Sequence, residues 1–162
     1  MKNLDFVTLA NAGVLESTQH TLSTAHSYKV FRLKSVIRKT IATISQTEKE
    51  LLAECGIGDD TAFMLRRNEL LAKAEDQLTE EERKELKSST DQLTRYTQMR
   101  SELMDEEAPE STRIRTIPYD EWVKLQDENR SVMHDGVTTD VFSGEVEELL
   151  YGNFWLAPEE GE

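Results

Sequence analysis

The chain has 162 residues, of which 37% are hydrophobic and 31% charged, and its formal net charge is −13. The length fits one domain with a modest core, and this balance is typical of long helices with one apolar stripe. Seven glycines and three prolines argue against a many-turned β fold. The chain has no run of about 18 apolar residues, so the sequence predicts no membrane span. Asp5 and Asn11 interrupt the apolar stretch at its N-terminus, so no signal peptide is predicted there.

The negative charge is confined to the last third of the chain. Residues 1–101 contain 15 acidic and 15 basic residues, whereas residues 102–162 contain 17 acidic and 4 basic ones. Direct binding to nucleic acid requires clustered Lys and Arg, so the acidic part is predicted to repel phosphate and to attract a basic protein surface, unless it serves solubility alone. The single cysteine, Cys55, cannot form an internal disulfide. The predicted compartment is therefore a reducing one, or at least one that need not be oxidising.

The first predicted elements are a short helix over residues 4–15 and a long helix over residues 18–55. Ser17 or Thr18 caps the long helix, and Gly56 stops it. A helix of roughly 38 residues extends about 57 Å, so it must lie along another long helix or against another chain. Its apolar positions recur mostly at spacings of three, four and seven: Leu22, Val30, Leu33, Ile37, Ile41, Ile44, Leu51 and Cys55.

A second long helix is predicted over residues 80–104. Thr79 and Glu82 form a capping box at its start. A shorter helix with an Asp cap, over about 61–74, lies between the two long ones. The simplest arrangement is an antiparallel hairpin comprising residues 1–104. Its predicted core consists of Leu33, Ile37, Ile41, Ile44, Leu51, Leu86, Leu93, Tyr96 and Leu103.

Residues 105–162 form a second predicted region, which is acidic and mixed in structure. Alternating residues predict strands at 112–117 and 137–142, and short helices are predicted at 119–128 and 145–151. The predicted fold class is therefore mainly α, an antiparallel long-helix hairpin with a small α+β C-terminal extension. The aromatic segment Phe154-Trp155-Leu156 precedes an acidic end. It serves either as an interface anchor or as a cap on the protein's own core.

The sequence contains none of the motifs that would carry catalysis. It has no P-loop, no GxGxxG and no G-x-S-x-G. His20 and His26 are six residues apart and do not share adjacent turns of one helix face, and His134 has only scattered acids nearby. Cys55 lies near a predicted helix C-terminus, where the dipole disfavours a thiolate. We therefore expect no enzyme, no cofactor and no metal site.

A basic run without any acidic residue extends from Lys29 to Lys39. It also contains Arg32, Lys34 and Arg38. Two interpretations remain open for it. One is a patch that binds phosphate or anionic lipid, and the other is charge complementarity with the protein's own acids.

Several segments resemble a family of small uncharacterised tailed-phage proteins. The long helix carries Tyr28, Arg32 and EKELL at 48–52, followed by Cys55-Gly56, and a strand-to-helix join follows at IRTIPYDEW, residues 114–122. The resemblance covers about residues 22–128. The 56–78 segment is longer here than in that family, and the Phe-Trp ending differs. The resemblance implies a phage or prophage gene with a structural or assembly role.

Together these features predict a non-enzymatic phage or prophage tail-region protein that acts through helical protein–protein contacts. Because a two-helix hairpin buries little apolar area, the chain is predicted to self-associate or to require a protein partner. One alternative is an acidic inhibitor of a host nucleic-acid-binding or defence enzyme, and another is an enzyme whose site is assembled from scattered acids. The candidate partner-binding residues are Lys29, Arg32, Arg38, Lys39, Trp122, Phe154, Trp155 and Leu156.

Overall fold

A computed structural model describes residues 1–16, 24–109, 117–130 and 144–152. Within these ranges the chain is mainly α-helical, as predicted. No strand occurs in them, although Lys2 and Glu107 form an isolated antiparallel bridge. Except for Ile117, the two predicted strands lie outside the described residues. The helices are α1 (Asn3–Asn11), α2 (Thr24–Glu54), α3 (Asp60–Leu71), α4 (Glu80–Asp105), α5 (Tyr119–Arg130) and α6 (Gly144–Gly152).

The chain divides into two compact units, and α2 contributes to both. Unit 1 comprises residues 1–42 and 106–162, and unit 2 comprises residues 43–105. The composition change predicted a boundary after residue 104, which lies at the end of α4. The structure, however, groups the first 42 residues with the C-terminal region, whereas the sequence assigned them to the hairpin.

Unit 1 is built around one apolar cluster. Phe6 and Leu9 lie on one side of α1, where a spacing of three places them one turn apart, and both are fully buried. Leu33 and Ile37 of α2 pack in this same cluster, although the sequence assigned them to a core shared with α4 residues. The complete cluster is Phe6, Leu9, Val14, Val30, Leu33, Ile37, Ile117, Trp122, Leu125, Val146 and Leu150.

Unit 2 contains the C-terminal part of α2, together with α3 and α4. Glu48 of α2 accepts a hydrogen bond from Arg100 of α4 at 2.6 Å, and Glu54 accepts one from Arg95 at 2.7 Å. Residue numbers rise along α2 as they fall along α4, so these two segments run antiparallel. Cys55 is buried, and its Sγ lies 3.8 Å from the Sδ of Met99.

Local caps determine where the helices of unit 2 begin and end. The Asp59 carboxylate accepts from the backbone N–H of Ala62 at 3.0 Å and starts α3. Thr79 and Glu82 form the predicted capping box at the start of α4. The Glu82 N–H donates to the Thr79 hydroxyl at 3.2 Å, and the Thr79 N–H donates to the Glu82 carboxylate at 3.1 Å.

Gly56 ends α2 in a left-handed conformation, with φ of 75°. Its N–H donates to the carbonyl of Ala53 at 3.0 Å, and the N–H of Ile57 donates to the carbonyl of Leu52 at 2.8 Å. These two bonds make a Schellman motif, and the buried Ile57 supplies the apolar contact that often accompanies it. The helix stop predicted at Gly56 is therefore confirmed.

Replacing Gly56 with alanine is expected to destabilise unit 2 by about 1–2 kcal/mol, the cost of a side chain in the left-handed region. The new Cβ would also lie 2.7 Å from Gln92 Nε2, which must move. The matched control is Gly58→Ala, because a Cβ there meets nothing within 4 Å and the backbone is not left-handed. Urea denaturation of both variants compares the free energies of unfolding. Equal losses at the two glycines would contradict the role given to Gly56.

Candidate protein-interaction surfaces

Unit 1 exposes a strip of α2 that carries both aromatic and basic side chains. We call this strip the aromatic–basic face, and its residues are Tyr28, Phe31, Arg32, Arg38 and Lys39. Helix periodicity brings positions i, i+3, i+4, i+10 and i+11 to one side. Tyr28 is 57% exposed and Phe31 is 55% exposed, although most aromatic side chains bury the larger part of their surface.

The pattern of α2 explains why this face is left outside. Val30, Leu33 and Ile37 follow one stripe of the helix and are buried in the unit 1 cluster. Tyr28 and Phe31 do not fall on that stripe, so the packing that buries it turns them to the solvent. The sequence already contains this signal, because neither residue belongs to the three-four-seven series of apolar positions.

Two arginines carry positive charge on the aromatic–basic face. The Arg32 guanidinium lies over the Tyr28 ring, 5.9 Å from its centre, which is a cation–π distance. The Arg38 side chain is exposed and makes no hydrogen bond or ion pair within the described ranges. The face therefore presents two aromatic rings and at least two guanidinium groups that no carboxylate of the described chain neutralises.

The rest of the basic run is used by the protein itself. The Lys29 ammonium pairs with the Glu121 carboxylate of α5, and Lys34 is only 5% exposed. Close by, His26 of α2 bonds to Glu128 of α5. Each of the two interpretations of the basic run therefore applies to a different part of it. Lys29 complements one of the chain's own acids, while Arg32 and Arg38 remain available to another molecule.

Trp122, a candidate partner-binding residue, is located in the core of unit 1. It is 1% exposed, and its Nε1–H donates to Glu147 of α6 at 2.6 Å. The amide of the buried Gln126 donates to the same carboxylate at 3.3 Å. Trp122 therefore joins α5 to α6 and offers no surface to a partner. Phe154, Trp155 and Leu156 lie outside the described residues.

The α3–α4 pair of unit 2 carries a row of exposed ion pairs. Both oxygens of Glu85 accept from Arg66 at 2.9 Å, and this bidentate bond holds the pKa of the Glu85 carboxyl below its usual value. Glu82 bonds to Lys73, which lowers the pKa of Glu82, and the backbone N–H of Thr79 lowers it further. The Arg66–Glu85 pair connects α3 to α4, and the Lys73–Glu82 pair connects the segment after α3 to α4. Both carboxylates are therefore paired within the unit.

The described ranges show no metal-binding arrangement. No group of three or more His, Cys, Asp or Glu side chains within them is placed to hold an ion. His26 lies in these ranges, whereas His20 and His134 lie outside them. Nor does any helix of the described chain combine the length and apolar character that crossing a bilayer requires.

Comparison of the chain with protein-family models, with curated proteins and with solved structures found no match.

Proposed function

We propose that this protein is a non-enzymatic binding protein and that the aromatic–basic face of α2 holds its protein partner. One observation carries the proposal: Tyr28 and Phe31 are more than half exposed on the same strip as Arg32 and Arg38. Tyr, Phe and Arg are the residue types enriched in the cores of protein–protein interfaces, and Tyr and Arg are also frequent among energetic anchors. Aromatic rings left in water would lose that exposure on binding, which favours association.

The chemistry of the face indicates what kind of partner surface it suits. The whole chain has a net charge of −13, yet this strip presents cations and no acid. An acidic partner surface with an apolar recess would therefore be attracted to it and would receive the two rings. Phosphate-bearing ligands share the negative charge, but the acidity of residues 102–162 repels an extended polyanion.

The biological setting we propose is a phage or prophage particle, in which the protein is a structural or assembly component of the tail region that works in the cytoplasm of the host or in the virion. The resemblance of residues 22–128 to small tailed-phage proteins supports this setting. Long helices that pack in antiparallel register suit a role built on protein contacts. In this proposal residues 105–162 complete an acidic α+β extension of the helical part.

A pull-down from host cells during phage growth or prophage induction, followed by mass spectrometry, tests the proposal. We expect portal, capsid or tail proteins to be captured by the wild type. The double variant Tyr28→Ser/Phe31→Ser should capture them at least about tenfold less, since each ring is expected to act as an anchor. The matched control is Leu65→Ser on α3, a residue that is 61% exposed but lies in unit 2.

Three results of this experiment would count against the proposal. Equal capture by the wild type and the double variant would show that the aromatic–basic face takes no part in the interaction. Equal loss in the Leu65→Ser control would show a general effect of surface polarity. A host nuclease or defence enzyme released by salt, in place of particle proteins, would support the acidic-inhibitor alternative instead.

A further inference from the structure

Arg67 of α3 differs from its neighbour Arg66 in having no acceptor within the described ranges. Arg66 is bound by the carboxylates of Glu85 and Glu69. The Nε of Arg67 is buried, yet no hydrogen-bond partner for it occurs in the part of the chain that the structure describes. A buried donor left unpaired is costly and rare in native proteins, and Arg67, which is only partly buried, has no carboxylate of the described chain to offset that cost.

Arg67 lies at the edge of a groove of about 630 Å³ that follows the outer side of α4. The hydroxyls of Thr90, Thr94 and Thr97 donate to carbonyls one turn earlier in α4, at 2.8, 2.9 and 2.8 Å. The helix thus uses these hydroxyls itself, which leaves mainly methyl and methylene groups to line the groove. The full lining is Arg67, Thr90, Leu93, Thr94, Thr97, Gln98, Ser101 and Glu102.

The groove has opposite charges at its two ends. Arg67 also borders Ser88, Ser89 and Gln92, which places it beside the N-terminal part of the groove. Glu102 marks the other end, twelve residues beyond Thr90, or about 18 Å along the helix axis. The carboxylate of Glu102 accepts from Gln98 at 3.1 Å and contacts no cation within the described ranges. A cation and an anion are therefore held apart along one apolar strip.

We propose that the surface of this groove faces and packs against the same surface of a second copy of the chain. A two-fold axis near Thr97 would set the two α4 helices antiparallel. Arg67 of each copy would then meet Glu102 of the other, because a strip with opposite charges at its ends is complementary to itself after that rotation. Threonine and serine side chains allow close approach of the helices, and the partly buried guanidinium of Arg67 gains a carboxylate that the described chain does not give it.

The expected dimer is weak. A seam about 18 Å long made of small side chains falls short of the roughly 800 Å² per partner that standard interfaces bury. We therefore expect a dissociation constant in the micromolar range rather than the nanomolar one. This surface belongs to unit 2 and does not depend on the aromatic–basic face, so either proposal can fail without the other.

Charge reversal tests the pairing directly. Sedimentation equilibrium at micromolar to submillimolar concentrations should show a dimer for the wild type and monomers for Arg67→Glu and for Glu102→Arg. An equimolar mixture of these two variants should dimerise again, because each reversed charge then faces an opposite one. Lys49→Glu is the matched control. Lys49 is exposed on α2, and its replacement changes the net charge as much as Arg67→Glu does without touching the groove.

A crosslink checks the geometry without disturbing the charges. In a Cys55→Ser background, Thr97→Cys should form an intermolecular disulfide under mild oxidation, whereas Ala53→Cys, exposed on α2, should not. The proposal is overturned if the wild type is monomeric throughout, if both charge-reversed variants remain dimers, or if their mixture stays monomeric while each is helical by circular dichroism. Equal crosslinking at residues 97 and 53 would also overturn it.

Discussion

Replacing Trp122 with alanine is expected to lower the free energy of unfolding of unit 1 by about 3–5 kcal/mol, the usual cost of removing a buried aromatic side chain. Trp122 is 1% exposed and belongs to the cluster that joins α1, α2, α5 and α6. Its removal leaves a cavity and also takes away the 2.6 Å hydrogen bond to Glu147. Since small domains are stable by only about 5–15 kcal/mol, unit 1 would lose a large part of its stability.

Urea denaturation followed by circular dichroism measures this loss of stability. Two further variants serve as comparisons. Val123→Ala, one residue further along α5, removes a side chain that is 37% exposed and should change stability by no more than about 0.5 kcal/mol. Trp122→Phe keeps a ring in the core but loses the N–H donor, so its effect should lie between the other two. If Trp122→Ala cost no more than Val123→Ala, Trp122 would not be a core residue.

In unit 2, Leu70→Ala is expected to cost about 2–5 kcal/mol, while Leu71→Ala should be nearly neutral. The two leucines are neighbours at the end of α3, but Leu70 is 1% exposed and Leu71 is 51% exposed. Both variants make the same chemical change in the same helical turn. The difference between them therefore measures burial alone, without a contribution from helix propensity.

Amide hydrogen exchange of α3 and α4 is the most direct measurement for this pair. Leu70→Ala should accelerate exchange along α3, because the helix loses its anchoring side chain, whereas Leu71→Ala should leave the protection of α3 unchanged. Unchanged protection in both variants would show that α3 is held mainly by ion pairs such as Arg66 with Glu85, and not by the apolar packing of Leu70.

Local signals allowed much of unit 2 to be predicted from sequence. The capping box at Thr79 and Glu82, the Asp59 cap and the Gly56 stop all operate within a few residues of the helix end that they define. A helix terminus must satisfy its own backbone groups nearby, so these residues determine helix bounds wherever the helix packs. The same reasoning located α3 and α4 to within a few residues of their observed bounds.

The partners of each helix were decided only by the tertiary structure. The stripe through Leu33 and Ile37 predicted correctly that these residues are buried, but helical spacing carries no information about what buries them. Their neighbours include Phe6, Trp122 and Leu150, which lie far from them in the sequence. The sequence-based hairpin therefore assigned them to a core shared with α4, and the burial of Trp122 was missed in the same way.

Whether each charged side chain has a partner likewise depends on the tertiary structure. Lys29 and Arg38 belong to one basic run, yet the first pairs with Glu121 of α5 and the second has no acceptor in the described chain. Arg66 and Arg67 are adjacent, yet only Arg66 reaches carboxylates. Sequence alone determined the helices and most of the helix ends in unit 2, because capping and periodicity act over a few residues. Which faces pack together and which charges stay unpaired depends on long-range contacts, and only the folded chain brings those residues within reach.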